Sequence, residues 1–420
     1  MDQSSQILQA CFGIFIFLVI AWLMSENRKN VDYKFTLLGI VIQVVLAFLI
    51  TKISVVQNSF LWISEGINKL KSATAEGTKF VFGYLGGGDL PFAVKEGASP
   101  FIFAFQPLPM VLVVSALSML LFHWKILPVI VRGFSYALRK SLNIGGALGV
   151  CAAAKVFLGQ TEAPLLIRPY LARFSRSELF TVMTAGMATT STTIMILYAQ
   201  ILEGTISNPI THILTASIIS IPAAISISRI MIPQIGDHTS GELVMPYQFS
   251  GAMDAVSQGA SDGMKLFLNI IAMLIVTLAL VALVNYILGN FPDFDREPIT
   301  LQRILGYVMA PVTWLMGIPW SEAKAAGNLL GTKTILNEVV AFIDLANLKN
   351  ILSGHTNLVM TYALCGFANL SSIGIQIGGL GTMVPERRAE IITLGVRALI
   401  AGTIASCLSG TIMGILYLIH

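Results

Sequence analysis

The amino-acid sequence predicts an all-α polytopic membrane protein with about eight transmembrane helices and two re-entrant helical hairpins in an inverted repeat. Three observations predict this class. Of the 420 residues, 55% are hydrophobic and 11% are charged, against about 25% charged residues in soluble domains. Several apolar runs approach the roughly 20 residues that span a bilayer. Two further apolar regions contain ionisable side chains, which are costly in hydrocarbon and must face protein, water or a ligand.

Composition also excludes several kinds of site. The net charge of +4 comes from basic residues clustered between apolar runs, a pattern that indicates membrane topology and not nucleic-acid binding. The four cysteines lie in apolar segments without a CxxC motif, and the five histidines have no metal-ligand spacing. The sequence therefore predicts no disulfide framework, no metal site and no cofactor.

The apolar runs assign eight spans. Loops rich in Lys and Arg, such as 25–34 and 123–140, mark the cytoplasmic side. Because residues 1–6 contain no Lys or Arg, the first run is expected to be a retained span and not a secretory signal. The predicted spans cover residues 7–24, 35–53, 101–122, 178–201, 213–232, 265–288, 357–380 and 391–419.

Three segments outside the spans have their own signals. Residues 61–82 are too polar to span but have apolar residues at helical spacing, so an interfacial helix is expected, with a solvated helix as the alternative. A short helix is expected near 251–260. Residues 86–89 read Gly-Gly-Gly-Asp and match the GxGD motif of intramembrane aspartyl proteases. The second intramembrane Asp that such enzymes need is missing, so a turn is predicted instead.

The first re-entrant hairpin is predicted around Gly159, Gln160, Thr161 and Glu162. These residues interrupt the apolar run 147–170, and the apolar stretch before them (145–158) is too short to span. Gly159 frees the backbone, and Pro164 disfavours a continuing helix. Non-helical backbone at membrane depth is tolerated where it lines a cavity or is buried in protein, so the tip is expected to line a cavity.

A second hairpin with the opposite orientation is predicted at 319–345, with Lys333, Asn337 and Glu338 between short apolar pieces. Each hairpin precedes an interrupted span, one broken at 189–193 and the other at 367–372. The order of hairpin, broken span and span thus occurs at 145–232 and again at 319–419. Two such units of opposite orientation are typical of secondary transporters, whose binding site lies where the broken elements meet.

Four sequence stretches resemble the concentrative nucleoside transporters, in the order and over nearly the whole length that the family has. They are Phe-Val-Phe-Gly at 80–83, Gly-Gln-Thr-Glu-Ala-Pro-Leu-Leu-Ile-Arg-Pro-Tyr at 159–170, Asn-Glu-Val-Val-Ala-Phe at 337–342 and Cys-Gly-Phe-Ala-Asn at 365–369. The resemblance implies a bacterial-type protomer of eight spans, working by an elevator-like alternating-access mechanism, in a homotrimer in the inner membrane.

The resemblance also implies a division of the chain. Residues 1–144 would form a scaffold of spans 1–3 with the interfacial helix, and 145–232 the first transport repeat with hairpin 1 and spans 4–5. Residues 233–318 would add span 6 to the scaffold together with an interfacial helix. Residues 319–420 would form the second transport repeat with hairpin 2 and spans 7–8.

The family's binding residues, carried over one by one, imply a nucleoside site. Gln160, Thr161 and Glu162 would bind the nucleobase, since an amide, a hydroxyl and a carboxylate complement its polar edge. Ile194 and Phe367 would provide apolar contacts. The ribose hydroxyls would be bound by Glu338, Asn369 and Ser372. Structural alternatives stay open: either Glu can bond hairpin backbone, Asn369 can cap a helix, Ser372 can bond its own helix, and Phe367 can face the core or lipid.

One position departs from the sodium-coupled members of the family. They carry an Asn four residues before the Gly of Gly-Gln-Thr-Glu, where this chain has Lys155. The other matching ion-site positions are Leu158, Thr189 and Thr190. An ammonium only donates hydrogen bonds and repels a cation at contact distance. It is expected to fill the sodium position and to bond the carbonyls of Leu158 and Thr190, although a side chain that extends to the cytoplasmic face is the alternative.

The sequence and the resemblance together therefore predict a proton-coupled nucleoside symporter. An enzyme is not expected, because the sequence shows no Ser/His or Asp/Asp pair at membrane depth that could supply a nucleophile and a base. Burial favours the neutral form of amines and of carboxyls, so Lys155, Glu162 or Glu338 can carry the coupling proton. Sodium coupling through a shifted site is the alternative within the class. An intramembrane enzyme or a nucleoside receptor is the alternative from another class.

Overall fold

The computed structural model describes residues 3–94, 100–241, 249–293 and 298–419, which form seventeen α-helices with short 3₁₀ turns. The first ten helices are α1 Gln3–Leu23, α2 Tyr33–Lys52, α3 Ser54–Phe82, α4 Met110–His123, α5 Ile126–Leu142, α6 Gly146–Ala154, α7 Glu162–Leu165, α8 Arg176–Ala188, α9 Thr192–Ile201 and α10 Pro209–Met231. The other seven are α11 Ala252–Leu288, α12 Leu301–Leu315, α13 Trp320–Ile335, α14 Glu338–Asn347, α15 Gly354–Leu364, α16 Leu370–Met383 and α17 Arg388–Leu418.

The predicted fold class is confirmed. Six helical segments among the described residues are long and apolar enough to cross a bilayer: α1, α2, α8 with α9, α10, α11 and the segment that ends with α17. Helices α4 and α5 form a bent pair with an angle of 78°, and α12 and α13 form another with an angle of 118°. Short helices, sharp bends and breaks therefore account for the apolar runs that do not form straight spans.

The third span is shorter than predicted. Its helix, α4, begins at Met110, whereas residues 103–109 form turns. Pro107 and Pro109 explain the late start, because a proline inside a helix lacks a donor and clashes with the preceding turn. The basic stretch that follows, expected as a loop, is the amphipathic helix α5, which buries Leu127, Val131 and other residues of one face.

Two other predicted helices are parts of longer helices in the structure. The short helix expected near 251–260 is the first part of α11, which continues without a break through the sixth span for 37 residues. The separate helix of this region is α12, which lies further along the chain and packs against α13. The predicted interfacial helix at 61–82 is the end of α3, which stops where Gly83 adopts a φ of +59°. The Gly-rich loop after it forms a turn as predicted, with Gly87 at a φ of +92°.

The first hairpin has a long tip and a short returning arm. Helix α6 ends at Ala154, and the chain then winds through turns to the four-residue helix α7 and a 3₁₀ segment at Arg168–Arg173. The predicted break in the fourth span separates α8 from α9 at residues 189–191. The second hairpin consists of α13 and α14, and the predicted break in the seventh span separates α15 from α16 at residues 365–369.

The inverted repeat is longer than the sequence indicated. Each hairpin is preceded by a helix with one buried face, α5 in the first repeat and α12 in the second. Helix α5 makes a sharp angle with α4, and α12 makes one with α13. The repeated order is therefore amphipathic helix, hairpin, broken helix pair and long helix. At the centre, the long helices α10 and α17 pack against each other and against α8 and α15.

The first two helices pack on this centre. Helix α2 lies against α10, and Gln43 donates a buried hydrogen bond of 2.9 Å to Ser409 of α17. The loop after α1 carries Glu26, which forms ion pairs with Arg176 of α8 and Arg397 of α17. The Arg176 guanidinium holds the pKa of the Glu26 carboxyl below its ordinary value. One carboxylate therefore joins both repeats at their basic ends.

Candidate substrate-binding site

The eight residues predicted to bind substrate line one cavity of about 190 Å³. Both hairpin tips, both helix breaks and one face of α11 form its wall. The predicted residues on the wall are Gln160, Thr161, Glu162, Ile194, Glu338, Phe367, Asn369 and Ser372.

Glu338 is the most constrained group of the cavity. It is the first residue of α14, where Asn337 caps the helix by accepting a hydrogen bond of 3.1 Å from Val340 N. Its carboxylate accepts 2.7 Å hydrogen bonds from the Tyr198 hydroxyl of α9 and from Asn369 Nδ2. Such charge-assisted bonds are strong. They fix one carboxylate between elements of both repeats, and the unused lone pairs of its two oxygens can accept further donors.

Asn369 has two roles in the geometry. Its Oδ1 accepts from Ser372 N at 2.8 Å and so caps α16, as the structural alternative proposed, while its Nδ2 donates to Glu338. A cap satisfies one of the open backbone donors at a helix start. Phe367, two residues earlier, is half-buried and lies on the cavity wall.

The tip of the first hairpin forms the opposite wall. Glu162 Oε2 accepts a hydrogen bond of 3.0 Å from Gly159 N, so this carboxylate bonds hairpin backbone while it lines the cavity. Gln376 of α16 donates to Met183 O at 2.9 Å and to Gln160 Oε1 at 3.4 Å. Because Gln160 meets Gln376 through its Oε1, the NH₂ group of Gln160 points away from Gln376 and is available as a hydrogen-bond donor.

The two broken helix pairs meet directly. Phe367 N donates to the carbonyl of Thr189 at 3.4 Å, so the break of one repeat touches the break of the other. Thr192 N, at the start of α9, donates to the carbonyl of Phe157 in the first hairpin at 3.3 Å. Backbone groups that the breaks release are therefore paired inside the protein, as membrane depth requires.

The four predicted ion-site residues, Lys155, Leu158, Thr189 and Thr190, are all buried. The Thr189 hydroxyl donates to Ala185 O at 2.8 Å within its own helix. The Lys155 side chain is 1% exposed, which excludes the alternative of extension to the cytoplasmic face. The expected bonds from its ammonium to the carbonyls of Leu158 and Thr190 are not formed, because Nζ has no hydrogen-bond partner among the described residues. Glu162 is the carboxylate that acts on it electrostatically.

Sequence analysis missed several residues of the site. Tyr198 follows the predicted Ile194 by four residues and therefore lies one helical turn further on the same face of α9. Gln376 follows Ser372 by the same spacing in α16. A polar side chain one turn from a predicted contact, in an otherwise apolar helix, was the available signal. Asn269 lines the cavity from α11 together with Leu266, Ile270 and Leu274, and its isolated position in an apolar span was a similar signal.

The described residues contain no group of three His, Cys, Asp or Glu side chains that could hold a metal ion. The inverted repeat, the paired breaks and the polar cavity between them define a multi-pass membrane transporter. Comparison with known proteins identifies the kind of transporter.

Three family models match the chain. They are described as Na+ dependent nucleoside transporter N-terminus over residues 12–85, Nucleoside recognition over 104–205, and Na+ dependent nucleoside transporter C-terminus over 212–414. The chain is 36% identical to the uncharacterized transporter YutK of Bacillus subtilis, over 97% of this chain and 99% of that one. It is 35% identical to the nucleoside permease NupC of Helicobacter pylori, over 96% of both chains.

The structure of CNTnw in an inward-facing substrate-bound state superposes with a TM-score of 0.88 at 32% identity, over 97% of this chain and 98% of that one. The chain belongs to the concentrative nucleoside transporter family. The resemblance drawn from the hairpin motifs is therefore confirmed.

We expect the variant Tyr198→Phe to lower thermal stability, because it removes one of the two side-chain hydrogen bonds to the buried carboxylate of Glu338. A lost bond to a charged group costs about 1.5–3 kcal/mol. The measurement is the melting temperature of the purified protein, with Tyr136→Phe on an exposed face of α5 as the matched control. Equal melting temperatures for both variants and the wild type would contradict this account of Glu338.

Proposed function

We propose that this protein is a proton-coupled nucleoside symporter that takes up nucleosides across the bacterial inner membrane by an elevator-like alternating-access mechanism. The observation that carries the proposal is the cavity, where two hairpin carboxylates from opposite repeats face a shared space with amide, hydroxyl and aromatic groups. Family membership supports the nucleoside as substrate. Proton coupling, the membrane and the mechanism are parts of the proposal.

Each wall of the cavity has a proposed role. The first hairpin binds the base: Gln160 donates through the NH₂ group that Gln376 leaves available, and Glu162 and Thr161 accept from ring and exocyclic N–H groups. The second hairpin binds the ribose through the remaining lone pairs of Glu338 and through Asn369 and Ser372. A sugar diol donating to a carboxylate makes a charge-assisted contact. Phe367 and Ile194 pack on the apolar faces of the ligand.

Lys155 is the proposed origin of proton coupling. An isolated charge in a low-dielectric interior is very costly, and Nζ has no hydrogen-bond partner among the residues described. An amine in this position is suited to bind a proton in one state of the cycle and to release it in another. Glu162, its charged neighbour in the hairpin, is the proposed group that stabilises the ammonium when the proton is present. Glu338 is the second candidate for the proton.

The larger assembly is also part of the proposal. Residues 145–232 and 319–420 move as the transport repeats against a scaffold formed by 1–144 and 233–318, and three protomers associate as a homotrimer. Exposed apolar residues on α11, among them Ile275, Leu280 and Ile287, contact lipid or neighbouring protomers. Exposed apolar residues along one helix are costly in water and are typical of surfaces that contact lipid or another protein chain.

Sodium coupling is the second candidate, and one observation favours it. Two of the matching family models are described as Na+ dependent. A sodium ion would need oxygen ligands near the break at 189–191, where the Thr189 hydroxyl donates its proton to Ala185 O and so keeps its lone pairs for a cation. A receptor that binds nucleoside without moving it is the remaining alternative, and uptake into proteoliposomes separates it from both symporters.

The substitutions Glu338→Gln and Glu162→Gln should each reduce radiolabelled nucleoside uptake into proteoliposomes tenfold or more. The reason is the loss of a charge-assisted contact, worth about 1.5–3 kcal/mol. Glu76→Gln is the control, since Glu76 is an exposed residue of α3 whose carboxylate pairs with Lys79. If both hairpin variants took up nucleoside as fast as the wild type, the site assignment would be wrong. If the wild type took up no nucleoside, the proposed transport function would be wrong.

Uptake by the wild type should rise with an inward proton gradient and stay the same when choline replaces sodium. Lys155→Asn should weaken the proton dependence, because it removes the amine, and should restore the side chain that sodium-coupled relatives have. The control is Lys140→Asn in the exposed part of α5. If uptake by Lys155→Asn depended on the proton gradient as strongly as uptake by the wild type, the assignment of the coupling proton to Lys155 would be wrong.

A further inference from the structure

A second lysine is buried as completely as Lys155. Lys333, near the end of α13, has an exposed fraction of 0%, and Lys155 has 1%. Each lysine stands four residues before the first tip residue of its hairpin, Gly159 in the first and Asn337 in the second, and each is followed three residues later by a leucine. The two lysines therefore hold corresponding positions of the inverted repeat. Nothing in the transport proposal uses Lys333.

The surroundings of the two ammonium groups differ. Lys333 Nζ donates to the carbonyl of Ala363 at 2.8 Å and to Ser406 Oγ of α17 at 3.2 Å. Ala363 lies in the last turn of α15, immediately before the break. The carbonyls at a helix C-terminus carry partial negative charge and favour a cation. Ser406 Oγ donates its own proton to Gly402 O, which leaves its lone pairs for the ammonium. Lys333 thus has the oxygen partners that Lys155 lacks.

Glu338 is the charged group that interacts with Lys333. The carboxylate and the ammonium form no direct ion pair, but their opposite charges attract each other across the tip of the second hairpin. Glu338 also bonds Asn369, which caps α16 on the far side of the same break. Lys333 therefore contacts the end of α15, and Glu338 is linked to the start of α16, so the pair spans the break of the second repeat.

We infer that Lys333 is a fixed internal cation of the second repeat, which holds the end of α15 at the break and balances the charge of Glu338. It acts as a positioning residue, because it reaches the cavity only through Glu338 and the break. The repeats would then divide the work: the partnered lysine keeps its charge and the unpartnered one exchanges a proton. This division rests on the proposed function, whereas the role of Lys333 as a counter-charge does not.

A thermal-stability cycle tests the counter-charge without any ligand. We expect Lys333→Met and Glu338→Gln each to lower the melting temperature by several degrees, because each leaves the other charge buried without its counter-charge. The double variant should lose clearly less than the sum of the two, since both charges are then absent. Lys324→Met is the control on the same helix, where Lys324 is partly exposed and lies over the ring of Tyr307.

Additive losses in the cycle would overturn the inference, because independent sites add. If Lys333→Met is not recovered from membranes, the yield of the double variant decides: recovery of the double supports the pair, and equal loss of both contradicts it.

Nucleoside binding gives a second readout that a general folding defect would not move. With the wild type binding uridine, Lys333→Met should reduce the preference for uridine over 3′-deoxyuridine at least threefold, while the preference between uridine and adenosine stays within twofold. The ribose side of the cavity changes because Glu338 loses its counter-charge, and the base side does not. Unchanged ribose discrimination would contradict the positioning role. Failure of the wild type to bind any nucleoside would instead reject the proposed function and leave the stability cycle unaffected.

Discussion

Two short hydrogen bonds to Glu338 join the two repeats of this molecule. Tyr198 reaches the carboxylate from the first repeat, and Asn369 reaches it from the break of the second. A carboxylate at membrane depth is stable only with such partners. The position of the second hairpin, the start of α16 and the orientation of α9 therefore depend on one another. A ligand that bonds the same carboxylate interacts with all three elements at once.

The need for hydrogen-bond partners at membrane depth also explains where the helix breaks lie. A helix that ends inside a membrane leaves carbonyls and amides without partners. Here the cap of α16 is Asn369, the cap of α14 is Asn337, and the carbonyl at the end of α15 receives an ammonium. Groups that satisfy the backbone also face the cavity or its immediate neighbours. Structural and binding roles are combined in the same side chains, as the alternatives considered for Asn369 and Glu162 already suggested.

Most of the architecture could be predicted because membrane segments have strong signals. The hydropathy of α1, α2 and α10, the polar tip at Gly159–Glu162 and the interrupted run at Thr189 all follow from the cost of polar groups in hydrocarbon. The amphipathic helix α5 was missed because its exposed face carries the charges that also mark loops. The start of α4 was misplaced because Pro107 and Pro109 stand within an apolar run, where hydropathy alone continues the span.

The site was predictable only in part. The tip residues were found because their polarity conflicts with their surroundings, and their convergence on one cavity follows from the inverted repeat. Tyr198 and Gln376 were not found, since a single amphipathic side chain in a span is common and its partner lies far away in sequence. The missing bonds of Lys155 could not be foreseen either, because sequence identifies a residue at an ion position but not the direction of its side chain.

We propose that the Lys155 amine takes the place of a bound sodium ion in this protein. The most direct measurement is the dissociation constant of uridine by titration calorimetry of the wild type, in sodium and in choline, at several pH values and in buffers of different ionisation enthalpy. The account predicts equal dissociation constants in the two salts and a proton exchanged with the buffer when uridine binds. A dissociation constant that falls tenfold or more when sodium is added, with no proton exchange, would contradict it.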